Sequence, residues 1–156
     1  MKEVELFFEA IRKKDHDTLK TLLSAHPELV NTKDSRGFTP LIFATYFDNE
    51  TASKILIEHH AEIDAKDHTG NTALIGVCFK GNEKLATLLI EHGAHINAQN
   101  NLGTTPLIFA TMYNKGNSVS LLLEKGADKT IKDNDSKTAF NYASEKGFEE
   151  IVGLLE

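Results

Sequence analysis

Turn-forming and apolar residues recur along this chain with a 33-residue period, which constrains the fold more than any other feature. Gly37, Gly70 and Gly103 follow one another at this interval. Apolar doublets keep the same period at Leu22-Leu23, Ile55-Leu56, Leu88-Leu89, Leu121-Leu122 and Leu154-Leu155. A period between roughly 20 and 50 residues indicates a stack of equivalent structural units. The spacing predicts one domain over residues 1–156, with repeats at 1–33, 34–66, 67–99, 100–132 and 133–156.

Each unit carries the local signals of a turn followed by two short helices. Asp34-Ser35-Arg36-Gly37 has the residue types of a type I turn, and Thr39-Pro40 has those of a helix N-cap with proline at the first helical position. The second helix carries the apolar doublet and is expected to end at Gly93 and Gly126. The first helix is expected to end near residues that tolerate the left-handed conformation: Asp48, Gly81, Asn114 and Gly147.

Two helices of this length cannot bury their apolar faces alone, so the helix pairs must stack on one another. The sequence predicts an all-α solenoid of five helix-turn-helix units joined by turn tips. The terminal units are expected to act as caps, because Leu6-Phe7-Phe8 stands where other units have Thr-Pro-Leu and Ser136 replaces the turn glycine. His60 and Pro27 stand where later units have a glycine after the second helix. Those two turns are the ones expected to differ.

Composition and charge disfavour several classes of partner. The chain has 17 Lys and Arg against 23 Asp and Glu, a net charge of −6, which gives no long-range attraction for nucleic acid or anionic membranes. No run approaches the roughly 18 apolar residues of a membrane span, and acids interrupt the first apolar residues, unlike a secretory signal. The single cysteine, Cys78, cannot form an internal disulfide. We expect a cytoplasmic protein with no nucleic-acid or membrane partner.

Three segments of the chain resemble ankyrin repeats: Asp34-x-x-Gly37-x-Thr39-Pro40-Leu41-x-x-Ala44, Asn100-x-x-Gly103-x-Thr105-Pro106-Leu107-x-x-Ala110 and Leu121-Leu122-x-x-x-Gly126-Ala127-Asp128. The resemblance covers essentially the whole chain. It implies a non-catalytic scaffold that binds other proteins through the turn tips and the concave face of the first helices. The family's usual histidine after Thr-Pro-Leu is absent, so apolar packing is expected in its place. The replacing residues are Ile42, Ile75, Ile108 and Asn141.

The resemblance places an apolar strip on this concave face. Tyr46, Phe79 and Met112 occupy one position in successive units and are expected to lie one above the next. Basic residues of the first two units, such as Lys33 and Arg36, would suit a partner with acidic residues beside an apolar anchor. The other interpretation is that the aromatic rings complete the core and the charges are only solvated. The predicted protein-binding residues are Lys33, Arg36, Phe38, Tyr46, Phe47, His68, Asn71, Phe79, Lys80, Leu102, Met112 and Tyr113.

Other chemistry has weaker support in the sequence. His26, His59 and His92 share one repeat position, but units about 10 Å apart cannot easily bring three imidazoles onto one metal ion. Cys78 lies in a slot for small side chains with no base placed beside it by the sequence. We expect a non-enzymatic interaction module of repeats 2–4, monomeric and without cofactor or metal. A metal- or thiol-dependent regulator and a self-associating structural protein, including a homodimer, stay open as alternatives.

Overall fold

The computed structural model describes residues 2–156, which form ten α-helices and one 3-10 helix and contain no strand. This confirms the predicted all-helical solenoid class. None of the helices in the described range has both the length and the apolar character needed to cross a membrane. The α-helices are α1 Lys2–Lys13, α2 His16–Ala25, α3 Pro40–Tyr46, α4 Glu50–Glu58, α5 Ala73–Lys80, α6 Glu83–Glu91, α7 Pro106–Met112, α8 Gly116–Glu124, α9 Ala139–Lys146 and α10 Glu149–Leu155; the 3-10 helix is Pro27–Asn31.

Consecutive helices pack in pairs, and the pairs stack in two rows. In the first row α1, α3, α5, α7 and α9 each contact the next, and in the second row α2 contacts α4 and α8 contacts both α6 and α10. The core lies between the rows, where Leu41, Leu74 and Leu107 from the first row are buried. Leu23, Leu56, Leu89 and Leu122 are buried from the second row. The repeat boundaries themselves remain a prediction.

The helix starts and ends follow the predicted local chemistry. The side chains of Thr39, Thr72 and Thr105 each accept a hydrogen bond from the backbone N–H of the third residue after them, as N-caps do. The predicted left-handed residues have positive φ at Asp48 (55°), Gly81 (77°), Asn114 (58°) and Gly147 (72°). The turn at His60 keeps the left-handed conformation of the equivalent glycines, with φ 67°. The turn at Pro27 differs, since this residue begins the 3-10 helix.

Successive turn tips are joined by backbone hydrogen bonds. The amide of His68 donates to the carbonyl of Arg36 at 3.2 Å, and Asn101 and Asn134 make the equivalent bonds at 3.0 Å to Thr69 and Leu102. A Cβ on the turn glycine would lie 2.9 Å from His68 N at Gly37, 2.7 Å from Asn101 N at Gly70 and 2.8 Å from Asn134 N at Gly103. Ser136 takes the same place with φ 62° in the last turn, where no later turn of the described range stacks on it.

The first unit departs from the strict repeat register. The spacing places Leu6-Phe7-Phe8 opposite Thr-Pro-Leu. In the structure, however, Lys14 (φ 60°) and the N-cap Asp15 take the roles of Asp48 (φ 55°) and the N-cap Asn49, which lie one position beyond the repeat interval. The extra residue is absorbed in α2, which has 10 residues against 9 in α4. The predicted alignment of the first helix was therefore wrong by one position.

The stacked tips predict that two glycines of similar φ differ in their tolerance of alanine. Gly126→Ala, at φ 94° with nothing within 4 Å of the new Cβ, should lose about 1–2 kcal/mol of unfolding free energy from backbone strain alone. Gly70→Ala, at φ 82°, adds contact with Asn101 and should cost at least about 1 kcal/mol more. Urea unfolding measures both variants. Equal losses would contradict the role assigned to the close approach of the tips.

Candidate functional site

The predicted binding residues lie in two sets, on the turn tips and at the C-terminal ends of first-row helices. Lys33, Arg36, Phe38, His68, Asn71 and Leu102 lie on or beside the tips, and Tyr46, Phe47, Phe79, Lys80, Met112 and Tyr113 lie at the ends of α3, α5 and α7. The two sets meet at Phe38 and Tyr46, whose ring centroids are 6.2 Å apart. We call this surface, formed by the tips and the ends of α3, α5 and α7, the tip face.

Aromatic rings on the tip face form two clusters. In the first, Phe43 contacts Phe8 and Phe47 with centroids 5.1 and 4.8 Å apart, and Phe47 contacts Tyr46 at 5.2 Å. In the second, Phe79 stacks on Phe109 at 5.4 Å and meets Tyr113 edge-on at 4.5 Å. No ring contact within residues 2–156 joins Tyr46 to Phe79. The rings thus form two clusters where the sequence indicated one strip.

Each cluster has exposed members. The relative exposure is 50% at Tyr46, 48% at Tyr113, 37% at Phe47 and 36% at Phe79, and it reaches 70% at Leu102 on a tip. Phe38 and Met112 are half-buried. The rings therefore pack on one another and still present apolar surface. Large exposed aromatic and leucine side chains side by side are typical of interaction surfaces.

The predicted cations differ in how far they are neutralised. The Arg36 guanidinium pairs with Asp34 at 2.8 Å and its central carbon lies 4.2 Å from the Phe38 ring centroid. Lys80 pairs with Asp48 at 2.9 Å and donates a hydrogen bond to the Tyr46 carbonyl. Lys33 instead donates to a backbone carbonyl at 3.4 Å, and it has no carboxylate partner within residues 2–156.

A column of side chains along the tips adds a second ladder of hydrogen bonds. Lys33 Nζ reaches the carbonyl of Lys66, Lys66 Nζ reaches that of Gln99 at 3.0 Å, and Gln99 Nε2 reaches that of Lys132 at 3.2 Å. Lys66 too lacks a carboxylate partner within the described range. Lys33 and Lys66 therefore offer unshared positive charge to a partner, whereas the charge of Arg36 and Lys80 is shared with nearby carboxylates.

A cavity of about 190 Å³ separates the two aromatic clusters. Its walls include Phe38 and Tyr46 on one side and Phe79 and Phe109 on the other, with Gly76 between them. Sequence reasoning missed this cavity, although the repeat position that contains Gly76 carries the signal. The residues at that position in three other units are Phe43, Phe109 and Tyr142.

The turn carboxylates use one oxygen for the backbone and differ in what the other oxygen binds. In Asp34, Asp67 and Asp133, Oδ1 accepts backbone N–H bonds of its own turn. Oδ2 of Asp34 accepts from Arg36, and Oδ2 of Asp133 accepts from the Tyr142 hydroxyl. Oδ2 of Asp67 has no hydrogen-bond partner within residues 2–156. It belongs to a residue that lines the cavity.

These contacts shift the pKa values of the residues involved. Burial alone would raise the pKa of Asp133, but hydrogen bonds from the Tyr142 hydroxyl and from the backbone of Lys137 and Asp135 outweigh it and lower that pKa. At Asp34 burial is likewise outweighed, by the bonds from Arg36 and the turn backbone, and the pKa is lowered. Burial and the bond to Asp133 raise the pKa of Tyr142. The Asp133–Tyr142 pair is thus held as a carboxylate and a neutral phenol.

Two of the histidines that share a repeat position lie beside backbone carbonyls of their own helices, and Cys78 lies in the core. His59 Nδ1 lies 2.9 Å from the Ile55 carbonyl, and His92 Nδ1 lies 2.8 Å from that of Leu88. No group of three His, Cys, Asp or Glu side chains in residues 2–156 is placed to hold a metal ion. Cys78 is fully buried in α5, and burial raises the pKa of its thiol to about 12.

Comparison with known proteins gives a family-level match. The sequence model of the family described as ankyrin repeats (3 copies) matches residues 7–100 and 97–156. No curated protein matches the chain.

The Asp133–Tyr142 pair predicts a pH-dependent cost for Tyr142→Phe. Near pH 7 the variant should lose about 2 kcal/mol of unfolding free energy, since a hydrogen bond to a charged group contributes about 1.5–3 kcal/mol. Because the folded pKa of Asp133 is lowered, its contribution is present above the ordinary value of about 3.9 and is lost as pH falls through the folded pKa. Urea unfolding at pH 7 and pH 3 measures the difference. A pH-independent difference between the two proteins would contradict this account.

Burial of Cys78 predicts a thiol that reacts only after unfolding. With a pKa of about 12, the thiolate fraction at pH 8 is on the order of 10⁻⁴. Ellman's reagent should label the native protein far more slowly than the urea-unfolded chain. Rapid native labelling would contradict the buried placement and support the thiol-regulator alternative.

Proposed function

Because the chain belongs to the ankyrin-repeat family, we propose that it is a non-catalytic interaction module that holds a protein or peptide against the tip face. Ankyrin repeats are generally protein–protein interaction modules, and proteins built from them are typically non-catalytic. The family match supports binding in general. The surface and the chemistry of the partner are our inference from this chain's own residues.

The observation that carries the proposal is the exposed apolar surface at Leu102 and Tyr113. Leu102 extends from a tip at 70% exposure, and Tyr113 is 48% exposed at the end of α7. Much of the apolar surface of both side chains is therefore left outside the core. Interface centres are enriched in aromatic side chains, and a few such anchors contribute most of the binding free energy. Tyr46, Phe47, Phe79 and Met112 extend this apolar surface towards the middle units.

Charge indicates how an acidic partner would lie on the tip face. Lys33 and Lys66 offer ammonium groups without carboxylate partners in the described range, whereas Arg36 and Lys80 are already paired. An acidic segment gains more by passing the tips at Lys33 and Lys66 than by displacing an existing ion pair. We propose a partner with acids towards the tips and an apolar anchor towards the ends of α3, α5 and α7. We expect the protein to be a cytoplasmic monomer.

The experiment uses the apolar surface of the tips and a matched leucine elsewhere. Wild-type protein immobilised as bait is exposed to cytosol of its source cells, retained proteins are identified by mass spectrometry, and affinities are then measured with the purified partner. Leu102→Asp/Tyr113→Ala should weaken the affinity by at least about tenfold. The control Leu154→Asp changes a leucine of similar type on α10, in the second row, and should leave the affinity unchanged.

Two results would contradict this proposed function. If the wild type retains no protein, the module does not bind a cytosolic partner. If Leu102→Asp/Tyr113→Ala binds the partner as tightly as Leu154→Asp does, the binding surface lies elsewhere. Unfolding midpoints of both variants confirm that the comparison is between folded proteins.

A further inference from the structure

The cavity between the aromatic clusters exists because one side chain is missing from a column of rings. The position of Gly76 carries Phe43, Phe109 and Tyr142 in three other units. Gly76 lies inside α5 and its φ is outside the left-handed region, so the backbone does not require glycine there. A Cβ at this position would meet no atom within 4 Å. Glycine inside a helix is destabilising relative to alanine, and here it leaves a space that folding does not demand.

The dimensions of the cavity fit one aromatic ring. Its volume is about 190 Å³, and an apolar cavity of roughly 150 Å³ is enough to bind benzene. Phe79 and Phe109 form one wall and Tyr46 stands on the other side. The wall rings are held by their own contacts, such as the 4.5 Å approach of Phe79 and Tyr113. Ring–ring contact would stabilise an aromatic side chain that enters.

One acceptor in the wall has an unused oxygen. Asp67 Oδ1 accepts three hydrogen bonds, from the N–H and hydroxyl of Thr69 at 2.9 and 2.7 Å and from Asn71 N–H at 3.0 Å. Asp67 Oδ2 has no partner within residues 2–156. Asp67 lines the cavity, and its carboxylate still has one oxygen that is open to a donor.

Among the remaining polar side chains of the wall, one side-chain amide has no acceptor within residues 2–156. The Thr45 hydroxyl donates to a backbone carbonyl, and that of Thr72 accepts from a backbone N–H. The Asn71 carbonyl oxygen accepts from the side chain of Asn100 at 2.9 Å, while its NH₂ group makes no hydrogen bond within the described range. A hydroxyl can donate to Asp67 and accept from Asn71 at once, so it suits this wall better than a group that only donates or only accepts.

The last unit of the same chain shows which group can donate to the second oxygen of such a turn carboxylate. Tyr142 and Asp133 stand two repeats after Gly76 and Asp67, at the equivalent positions of the last unit. There the Tyr142 hydroxyl donates to Asp133 Oδ2. In the unit between them the pair is Asn100 and Phe109, with neither a carboxylate nor a ring hydroxyl. The carboxylate and the phenol occur together in the last unit, and the third unit has the carboxylate without its phenol.

We propose that the Gly76 cavity is a socket for a tyrosine side chain of the protein partner, with the ring between Tyr46 and Phe79 and the hydroxyl donating to Asp67 Oδ2. This inference rests on the proposed function, since it names one anchor of the partner on the tip face. A phenylalanine would fill the space but leave the carboxylate oxygen covered without a donor, which is costly. An acidic side chain would be repelled by Asp67.

The test uses N-acetyl-L-tyrosinamide and N-acetyl-L-phenylalaninamide as probes of the whole chain, titrated to millimolar concentration and followed by ¹⁵N NMR. The tyrosine probe should shift the Gly76 amide and bind about tenfold more tightly than the phenylalanine probe, because its hydroxyl bonds a charged acceptor. Asp67→Asn should remove that preference. Asparagine preserves the turn, since Asn100 makes the same backbone bonds through Oδ1, and it replaces Oδ2 by an NH₂ donor.

Two substitutions at position 76 distinguish the effect of filling the cavity from the effect of stabilising helix α5. Gly76→Tyr should occupy the socket with the chain's own ring, raise the unfolding midpoint above that of Gly76→Ala and abolish binding of the tyrosine probe. Gly76→Ala improves the helix without filling the cavity and should still bind the probe. If Gly76→Tyr does not fold, the comparison of wild type with Asp67→Asn decides the question alone.

Four results would overturn the socket. One is equal affinity for the two probes, and another is a tyrosine preference that survives Asp67→Asn. The third is a partner that Gly76→Tyr binds as tightly as wild type while Leu102→Asp/Tyr113→Ala loses it, in which case the proposed function stands without the socket. A wild-type dimer that Gly76→Tyr dissociates would also overturn the proposal, because the occupant would then be Tyr46 or Tyr113 of a second copy.

Discussion

The backbone hydrogen bond between successive turn tips is the contact on which the rest of the structure depends. It joins His68 to Arg36, Asn101 to Thr69 and Asn134 to Leu102, and it forms only because glycine at the tip lets the next backbone approach. With the tips held at one spacing, equivalent residues of neighbouring units are brought side by side. When one unit carries a different residue at a given repeat position, the stack therefore has a local change in shape or chemistry at that unit.

Residues that build the stack can be distinguished from residues available for binding by comparing equivalent positions of the units. The framework is encoded by groups that each satisfy a local need, such as the turn carboxylate that bonds its own backbone and the threonine that caps α3, α5, α7 and α9. At Gly76 a helix interior has no side chain. Asp67, which lines the same cavity, bonds its own turn through Oδ1 and leaves Oδ2 without a partner in the described part of the chain. Departures from local consistency tend to mark functional sites. Because the glycine and the unpaired oxygen belong to residues that line one cavity, together they indicate a functional site more strongly than either feature does alone.

The sequence predicted those features that depend on a few adjacent residues. Thr72 capping α5 and Gly81 ending it required only the chemistry of the turn and the helix end. The one-residue shift of the first unit was not predictable from the period, since it depends on Lys14 taking positive φ and on α2 being longer. The pairing of Lys80 with Asp48 crosses between units, and packing decides whether neighbouring rings collapse into the space at Gly76. The framework carries no information on the partner.

Selectivity in such a socket comes more from what it rejects than from what it attracts. The walls are preformed by ring contacts around Phe79 and Phe109, so little ordering free energy is spent when a ring enters. Any aromatic ring gains the apolar contact, and that contact cannot distinguish tyrosine from phenylalanine. The distinction arises because covering Asp67 Oδ2 removes water from a charged acceptor, and a ligand without a hydroxyl leaves it unpaired. The glycine at position 76 and the unpaired oxygen of Asp67 would together give this ankyrin-repeat chain a preference for tyrosine over phenylalanine.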